Sequence, residues 1–443
     1  MTGIPMMILQ LLLSLSFLVI IHECGHFFPA KWFKTRVEKF YLFFDPWFSL
    51  FKTKRGDTEY GIGWLPLGGY VKIAGMVDES FDTEKLKEPP KPDEFRAKPA
   101  WQRLIIMLGG VTVNFIAGFL LFAFVLCVWG EQYVPNSSVT HGIYTDSLAK
   151  EIGLQDGDII LKVGNKDFVN FDNRVIRREI VINGAKQIAV RRGDQIVNVS
   201  VEERFISELS SHQYKNATLI APRVPMTIGK IVEGSPAMLA GLQVGDEILS
   251  INGQPAHFSK EYAELRPTPP GDTARIRVVR NLEEKEFVMA TNAEGKMGFQ
   301  PITDLKIERR KYGFIESIPA GVNKGLGFLG DQIKAFGQMF KGKIKTSESL
   351  GGFASITSLF PETWDWEDFI RITAVLSLIL GFMNLLPIPG LDGGHVIFLL
   401  FEMVTGKKLS DQFVEKATMV GFVLLIALMI YANGLDVFRF LKK

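Results

Sequence analysis

Four stretches of this chain carry no charged residue over about the length a helix needs to cross a bilayer, roughly 20 residues at ~1.5 Å of rise each. They are Met1 to Ile21, Leu104 to Gly130, Ile372 to Leu391 and Ala417 to Leu435. Lipid offers backbone amides no hydrogen-bond partner, so each stretch must satisfy its own as a helix, and four spans are expected. Composition agrees: 47% of residues are hydrophobic, 35 are Phe and mean hydropathy is positive, more apolar than an ordinary soluble enzyme. The first stretch lacks a basic leader and runs into a histidine pair instead of a small-residue cleavage site, so it reads as a retained span. The 50 basic and 48 acidic residues nearly cancel and form no basic stripe, which sets a nucleic-acid role aside. Cys24 and Cys127 fall in or beside apolar spans and point to packing, not to a disulfide framework.

Lys31, Lys34, Arg36, Lys39, Lys52, Lys54 and Arg55 crowd the loop after the first span, and short basic loops face the cytoplasm. Residues 131–365 then lie outside, and the loop holding Lys407, Lys408 and Lys416 lies inside. Within the basic loop, Phe40 to Phe51 alternates aromatics with turn residues, and Glu59 to Ala74 is β-rich and broken by Gly and Pro. This predicts a hairpin-like sheet against the membrane. Glu79 to Lys98, rich in Pro, Lys and Glu, reads as a linker.

The outer region contains a repeat. Ser147, Ala149, Gly153, Leu154, Gly157, Asp158 and Ile160 recur as Ser235, Ala237, Gly241, Leu242, Gly245, Asp246 and Ile248, always 88 residues on. The pattern Ser-Pro-Ala, Ala-Gly-Leu, Gly-Asp-Glu-Ile, Ile-Asn-Gly of the second copy resembles the core of bacterial PDZ domains. Gly295 to Phe299 follows the repeat instead of preceding it, which resembles the circularly permuted bacterial form. Such domains either capture peptides at a sheet edge or act as a steric gate, and the sequence leaves both open. From Ile315 to Phe340 apolar residues recur every three or four positions, predicting an amphipathic helix that lies on the outer bilayer surface or braces the repeats.

His22-Glu23-Cys24-Gly25-His26 fits H-E-x-x-H, which places two imidazoles on one helix face for one Zn²⁺ and a glutamate beside them to activate water. Ionisable groups within an apolar helix are costly and usually functional. A zinc hydrolase needs a third ligand, and Asn384 to His395 supplies candidates: two prolines break a helix there, and Asp392 and His395 are three apart. Either can be the ligand on these grounds. A binding scaffold with a non-catalytic metal site is the alternative reading, disfavoured by Glu23, since a structural site needs no base.

H-E-x-G-H on the first span with N-x-x-P-x-P-x-L-D-G on a late span resembles the site-2 protease family of intramembrane metalloproteases. The resemblance implies a polytopic α-helical membrane protein with four transmembrane helices, a membrane-associated β-region, and two tandem PDZ domains inserted between the second and third spans. It implies spans at 1–30, 101–130, 366–392 and 417–436, loops at 31–100 and 393–416, PDZ domains at 136–222 and 223–304, and a connector at 305–365. It makes Asp392 the third Zn²⁺ ligand beside His22 and His26, Glu23 the general base, and Asn384 a holder of substrate backbone or oxyanion. Tyr60, Gly61, Ile62 and Gly63 would then lie in a membrane-reentrant β region whose edge pairs with unwound substrate. Asn114, opening Asn-Phe-Ile-Ala-Gly, matches a small-and-polar motif of the second span and is expected to meet substrate. Leu350 to Ile356 departs from the Gly-Pro-containing stretch of that family. The implied substrates are an anti-sigma factor already shortened by a first protease, and remnant signal peptides, cut in a bacterial inner membrane near its cytoplasmic face.

Overall fold

A computed structural model describes residues 3–76, 89–211, 213–214, 217–302 and 305–441. The first half of the expected linker at Glu79 to Lys98 lies outside these residues, as does the domain boundary at 304. The chain divides into two units, one of Met1–Gly130, Lys311–Ile333 and Leu350–Lys443, the other of Glu131–Arg310 and Lys334–Ser349.

In the first unit, helix α1 spans Ile4–Trp32 and α2 spans Ala100–Val128. Both are apolar on all sides, so their inner faces are marked by polar and small residues. Gln10, Ser14, Leu18, His22 and His26 form one buried row of α1, spaced by four. Ile106, Gly110, Asn114, Gly118, Phe122 and Leu126 form the matching row of α2. The rows meet where Gly25 faces Gly109: a Cβ on either would overlap the other's carbonyl. Small residues let membrane helices approach this closely.

Among the described residues three helices are long and apolar enough to cross a membrane: α1, α2 and the C-terminal helix Asp411–Leu441. The expected third span is shorter. Its helix, Trp366–Asn384, starts under an Asp365 cap whose side chain accepts from the Asp368 N–H, has Glu367 and Asp368 in its first turn, and stops before Pro387 and Pro389. Ser377 fixes it to α2, donating to the Asn114 carbonyl at 2.7 Å. Residues 385–391 are a loop without room for side chains at its contacts. A Cβ on Gly393 would overlap the Leu386 carbonyl, and one on Gly421 of the C-terminal helix would overlap that of Pro389.

The cytoplasmic loop expected at 393–416 is instead a helix over Asp392–Thr405. Gly393, Gly394, Val396 and Leu399 are its buried residues, and Val396 and Leu399 pack with Ile106 and Met107 of α2. Their periodic spacing is too short for a span, yet sufficient for a packed helix.

The amphipathic helix exists, over Phe314–Phe340, but its buried face is the small one. Ser317, Gly321 and Gly325 are buried, and a Cβ on Gly321 would overlap the Ala123 backbone of α2. The helix is therefore seated on α2 through a small-residue row, while Phe314, Ile315 and Ile333 stay exposed. After it, Gly352, Phe353 and Ser355 are pinned to the C-terminal helix. Asp436 accepts from the Gly352 and Ser355 amides at 3.0 and 2.9 Å, and Asn433 from the Phe353 amide at 3.1 Å.

Strands β1 (Val37–Arg55) and β2 (Thr58–Ile73) form the expected sheet. Each bends back, so four segments pair in the order 51–55, 58–62, 37–42, 69–73. Tyr60, Gly61 and Ile62 consequently pair on both sides, with Phe40, Tyr41 and Leu42 and with Thr53, Lys52 and Phe51, while Gly63 pairs with Ser49. Tyr60, Gly61 and Ile62 thus lie between two paired segments and not at the sheet edge where the sequence reading placed them. The outer segments of the sheet are 51–55 and 69–73.

The second unit holds two copies of one plan. Each has a four-stranded antiparallel sheet: Lys166–Asp167, Ile159–Val163, Gln187–Arg192, Gln195–Ser200, and Gln254–Pro255, Glu247–Ile251, Thr273–Arg280, Glu283–Ala290. Each adds a short two-stranded ladder, Ile143–Thr145 with Ile220–Pro222, and Ile228–Ile231 with Phe299–Pro301. The repeat extends to a polar device. Arg192 binds the buried Asp158 and the Gly153 carbonyl, and Arg280 binds Asp246 and the Gly241 carbonyl in the same way.

Replacing Gly321 by Leu forces overlap with α2 backbone that cannot move aside. Overpacking of this kind costs about 1–3 kcal/mol. We expect Gly321→Leu to lower the thermal unfolding midpoint of the detergent-solubilised protein, whereas Gly327→Leu, at a position with open space, leaves it unchanged.

Candidate metal centre

The centre begins with helix periodicity. His22 and His26 are one turn apart on α1, so their rings share a face 4.9 Å between centroids. Asp392 arrives from the first turn of its helix because the Pro387–Pro389 break turns the chain back toward α1. The three side chains converge to an unusual degree: His22 Nε2, His26 Nε2 and Asp392 Oδ2 lie 3.3 Å from one another on all three edges.

These contacts are not three hydrogen bonds. Asp392 Oδ2 is buried and has no hydrogen-bond partner, although both imidazole nitrogens sit beside it. Lone pairs aimed at one common point suit a cation. Ligand atoms on a tetrahedral ion with bonds of about 2.0–2.1 Å are about 3.3–3.4 Å apart, matching the observed triangle. Two imidazoles and a carboxylate also form the donor set of a zinc hydrolase, with one position left for water.

The second nitrogen of each ring is held by α2. His26 Nδ1 donates to the Ile106 carbonyl at 2.8 Å, leaving its Nε2 free to ligate. His22 Nδ1 lies 2.9 Å from the Asn114 amide. With Nε2 aimed at the centre, Nδ1 carries the hydrogen, and the Asn114 oxygen, otherwise without a partner, is its acceptor once the amide is turned over. Asn114 is fully buried. The contact it makes in the structure is with this histidine. The sequence hid this role because a lone Asn in a span signals only some polar contact. Gly110 sits between these two partners, where a Cβ would overlap His26 Nε2.

Asn384 ends its helix with the amide nitrogen 3.4 Å from His22 Nε2, beside the triangle. Glu23 is buried next to the two histidines and faces the Val71 N–H of the 69–73 edge, where Gly69 also packs against Val19 and Glu23. His395 stays apart, with its ring edge-on to Phe398, and is not among the converging groups. Of the two candidates, Asp392 is the one in the converging set. Tyr60, Gly61, Ile62 and Gly63 lie within the sheet, as described above.

Metal affinity tests the triangle and its supports. We expect Asp392→Ala to abolish stable zinc binding and His395→Ala to retain it, read by metal analysis of purified protein. Asn114→Ala should weaken zinc binding about 10- to 100-fold in chelator competition, and Asn114→Asp should restore it.

Residues 10–428 match the model of peptidase family M50. The chain is 28% identical over 464 residues to the regulator of sigma E protease of Haemophilus influenzae, covering 97% of this chain and 98% of that protein. It is 28% identical over 452 residues to the regulator of sigma-E protease RseP of Salmonella typhimurium, covering 94% and 95%. A Thermotoga maritima protein described as a candidate zinc metalloprotease is 26% identical over 513 residues, covering 98% and 99%. A match across nearly the whole chain, joined to a buried histidine–aspartate triangle among membrane-length helices, leads to one assignment: the chain belongs to peptidase family M50 and is a membrane metallopeptidase.

Proposed function

We propose that this chain is a zinc-dependent intramembrane endopeptidase that hydrolyses peptide bonds within transmembrane segments of other membrane proteins. The buried triangle of His22, His26 and Asp392, with Glu23 beside it, carries the reading. His22, His26 and Asp392 hold the ion. When bound, zinc supplies Lewis acidity, which brings the pKa of water toward ~7.

Glu23 takes the proton of the attacking water and delivers it to the nitrogen of the leaving amine. Asn384 donates its amide hydrogen to the carbonyl oxygen as that oxygen gains charge, a role its position beside His22 supports. Since the nucleophile is water, no acyl-enzyme forms. A helical substrate hides its amides in its own hydrogen bonds and must unwind before attack. The outer sheet segment at residues 69–73, beside Glu23, lies where it can pair with the unwound segment and hold it extended.

Four spans fit this function, with Trp366–Asn384 as the short third one. The repeats are two PDZ domains, at 136–222 and 223–304, on the outer side of a bacterial inner membrane, and the metal centre lies near the cytoplasmic face. The domains exclude substrates with bulky outer parts. The relatives named as regulators of sigma E protease support an anti-sigma factor, already shortened by a first protease, as substrate, with remnant signal peptides as a second class.

Glu23→Gln keeps size and hydrogen-bonding capacity but removes the proton acceptor. We expect zinc content and folding to survive while cleavage of a model transmembrane substrate falls at least ~10²- to 10⁴-fold. Near-normal cleavage by the folded, zinc-loaded variant would falsify the mechanism. Orientation is tested separately: single cysteines at Ser200 or Ser259, without Cys24 and Cys127, should react with an impermeant thiol reagent in spheroplasts. Reaction only after lysis reverses the topology.

A further inference from the structure

The two repeats differ at the outer edge of their short two-stranded ladders. In the first, the Asp146 N–H donates to Leu219 O and the Arg223 N–H to Gly142 O. Antiparallel ladders alternate bonded and non-bonded pairs, so the Thr145–Ile220 pair is non-bonded and the Ile220 N–H and C=O point away from the ladder. In the second, Val232 N–H donates to Gly298 O and Ile302 N–H to Thr227 O, which turns the Phe299 N–H and C=O outward in the same way.

The outward groups of Ile220 are already taken. Asn173, in the helix Asn173–Arg177 alongside, accepts from the Ile220 N–H at 2.9 Å and donates to the Ile220 C=O at 2.7 Å. A carboxamide carries the donor and acceptor of a peptide unit, so this side chain makes the two hydrogen bonds of an added strand. At Phe299 no partner for either group occurs among the described residues. The residue 88 positions beyond Asn173 is Glu261, whose carboxylate has no hydrogen to donate and accepts instead from the Phe258 N–H of its own helix start. The helix carrying Glu261, Ser259–Leu265, buries none of its residues, and Tyr262 faces the Phe299 ring at 5.5 Å.

The geometry points to a division of labour: the first repeat is permanently filled by its own Asn173, and the second alone takes an extended peptide, along the Phe299 edge. The kind of partner is set by the sister repeat, since what occupies the equivalent edge there is an amide. The inference rests on reading the repeats as PDZ domains but not on the peptidase chemistry, which the Glu23 experiment tests by itself.

Amide hydrogen exchange on the full-length protein in detergent tests it. Phe299 should exchange at least about tenfold faster than Ile220. In Asn173→Ala the Ile220 amide should accelerate by about the same factor while the Asp146 amide of the ladder stays protected. Asn173→Asp, which keeps the acceptor, should leave Ile220 protected. A random decapeptide mixture with free carboxy termini, at millimolar total concentration, should protect Phe299 in the wild type and both edges in Asn173→Ala. Peptide protection of Ile220 in the wild type, no protection of Phe299, or an unchanged Ile220 rate in Asn173→Ala each overturns the assignment.

Discussion

The contact between α1 and α2 at Gly25 and Gly109 governs what the rest of the membrane unit can do. Backbones touching there bring the polar row of α1 against that of α2, and polar groups in hydrocarbon persist only when they satisfy one another. Ile106 and Asn114, two turns apart on α2, then reach the outer nitrogens of His26 and His22. The inner nitrogens are left facing one another, with only the Asn384 amide beside that of His22. A third helix, entering through the proline break, adds the Asp392 carboxylate to the same point. The centre is thus a consequence of helix proximity, and Gly110 keeps the space in which it forms.

What was legible in the sequence was whatever depends on local spacing. Four positions between His22 and His26, the apolar lengths of the helices and the 88-residue repeat all follow from one-dimensional periods. The Asp392 helix escaped because a short apolar period after a proline break looks like a loop. The sheet order escaped for a different reason: β1 and β2 are each continuous in sequence, and nothing local reveals that they bend back to pair Tyr60 to Ile62 on both sides. Asn114 and Asn384 look alike in sequence, one polar residue in an apolar run. Only packing separates the one under His22 from the one beside the triangle.

The repeats show how duplicated parts diverge. Their shared cores and the Arg192–Asp158 and Arg280–Asp246 pairs preserve the plan. The change lies near the start of one helix in each repeat, where Asn173 has Glu261 as its counterpart 88 residues on and an amide is exchanged for a carboxylate. One such exchange alters what a strand edge can accept without disturbing the sheet behind it.

The loop at 385–391 has a consequence for mutational tolerance. Its carbonyls rest directly on glycines, Leu386 on Gly393 and Pro389 on Gly421, with no side chain interposed. Repacking elsewhere therefore cannot nudge Asp392 by small degrees, as it would across a cushion of side chains. The loop's position is decided by backbone alone, so a map of substitutions here should be sharply divided. Outward-facing neighbours vary freely, and the glycines beneath the carbonyls admit nothing larger.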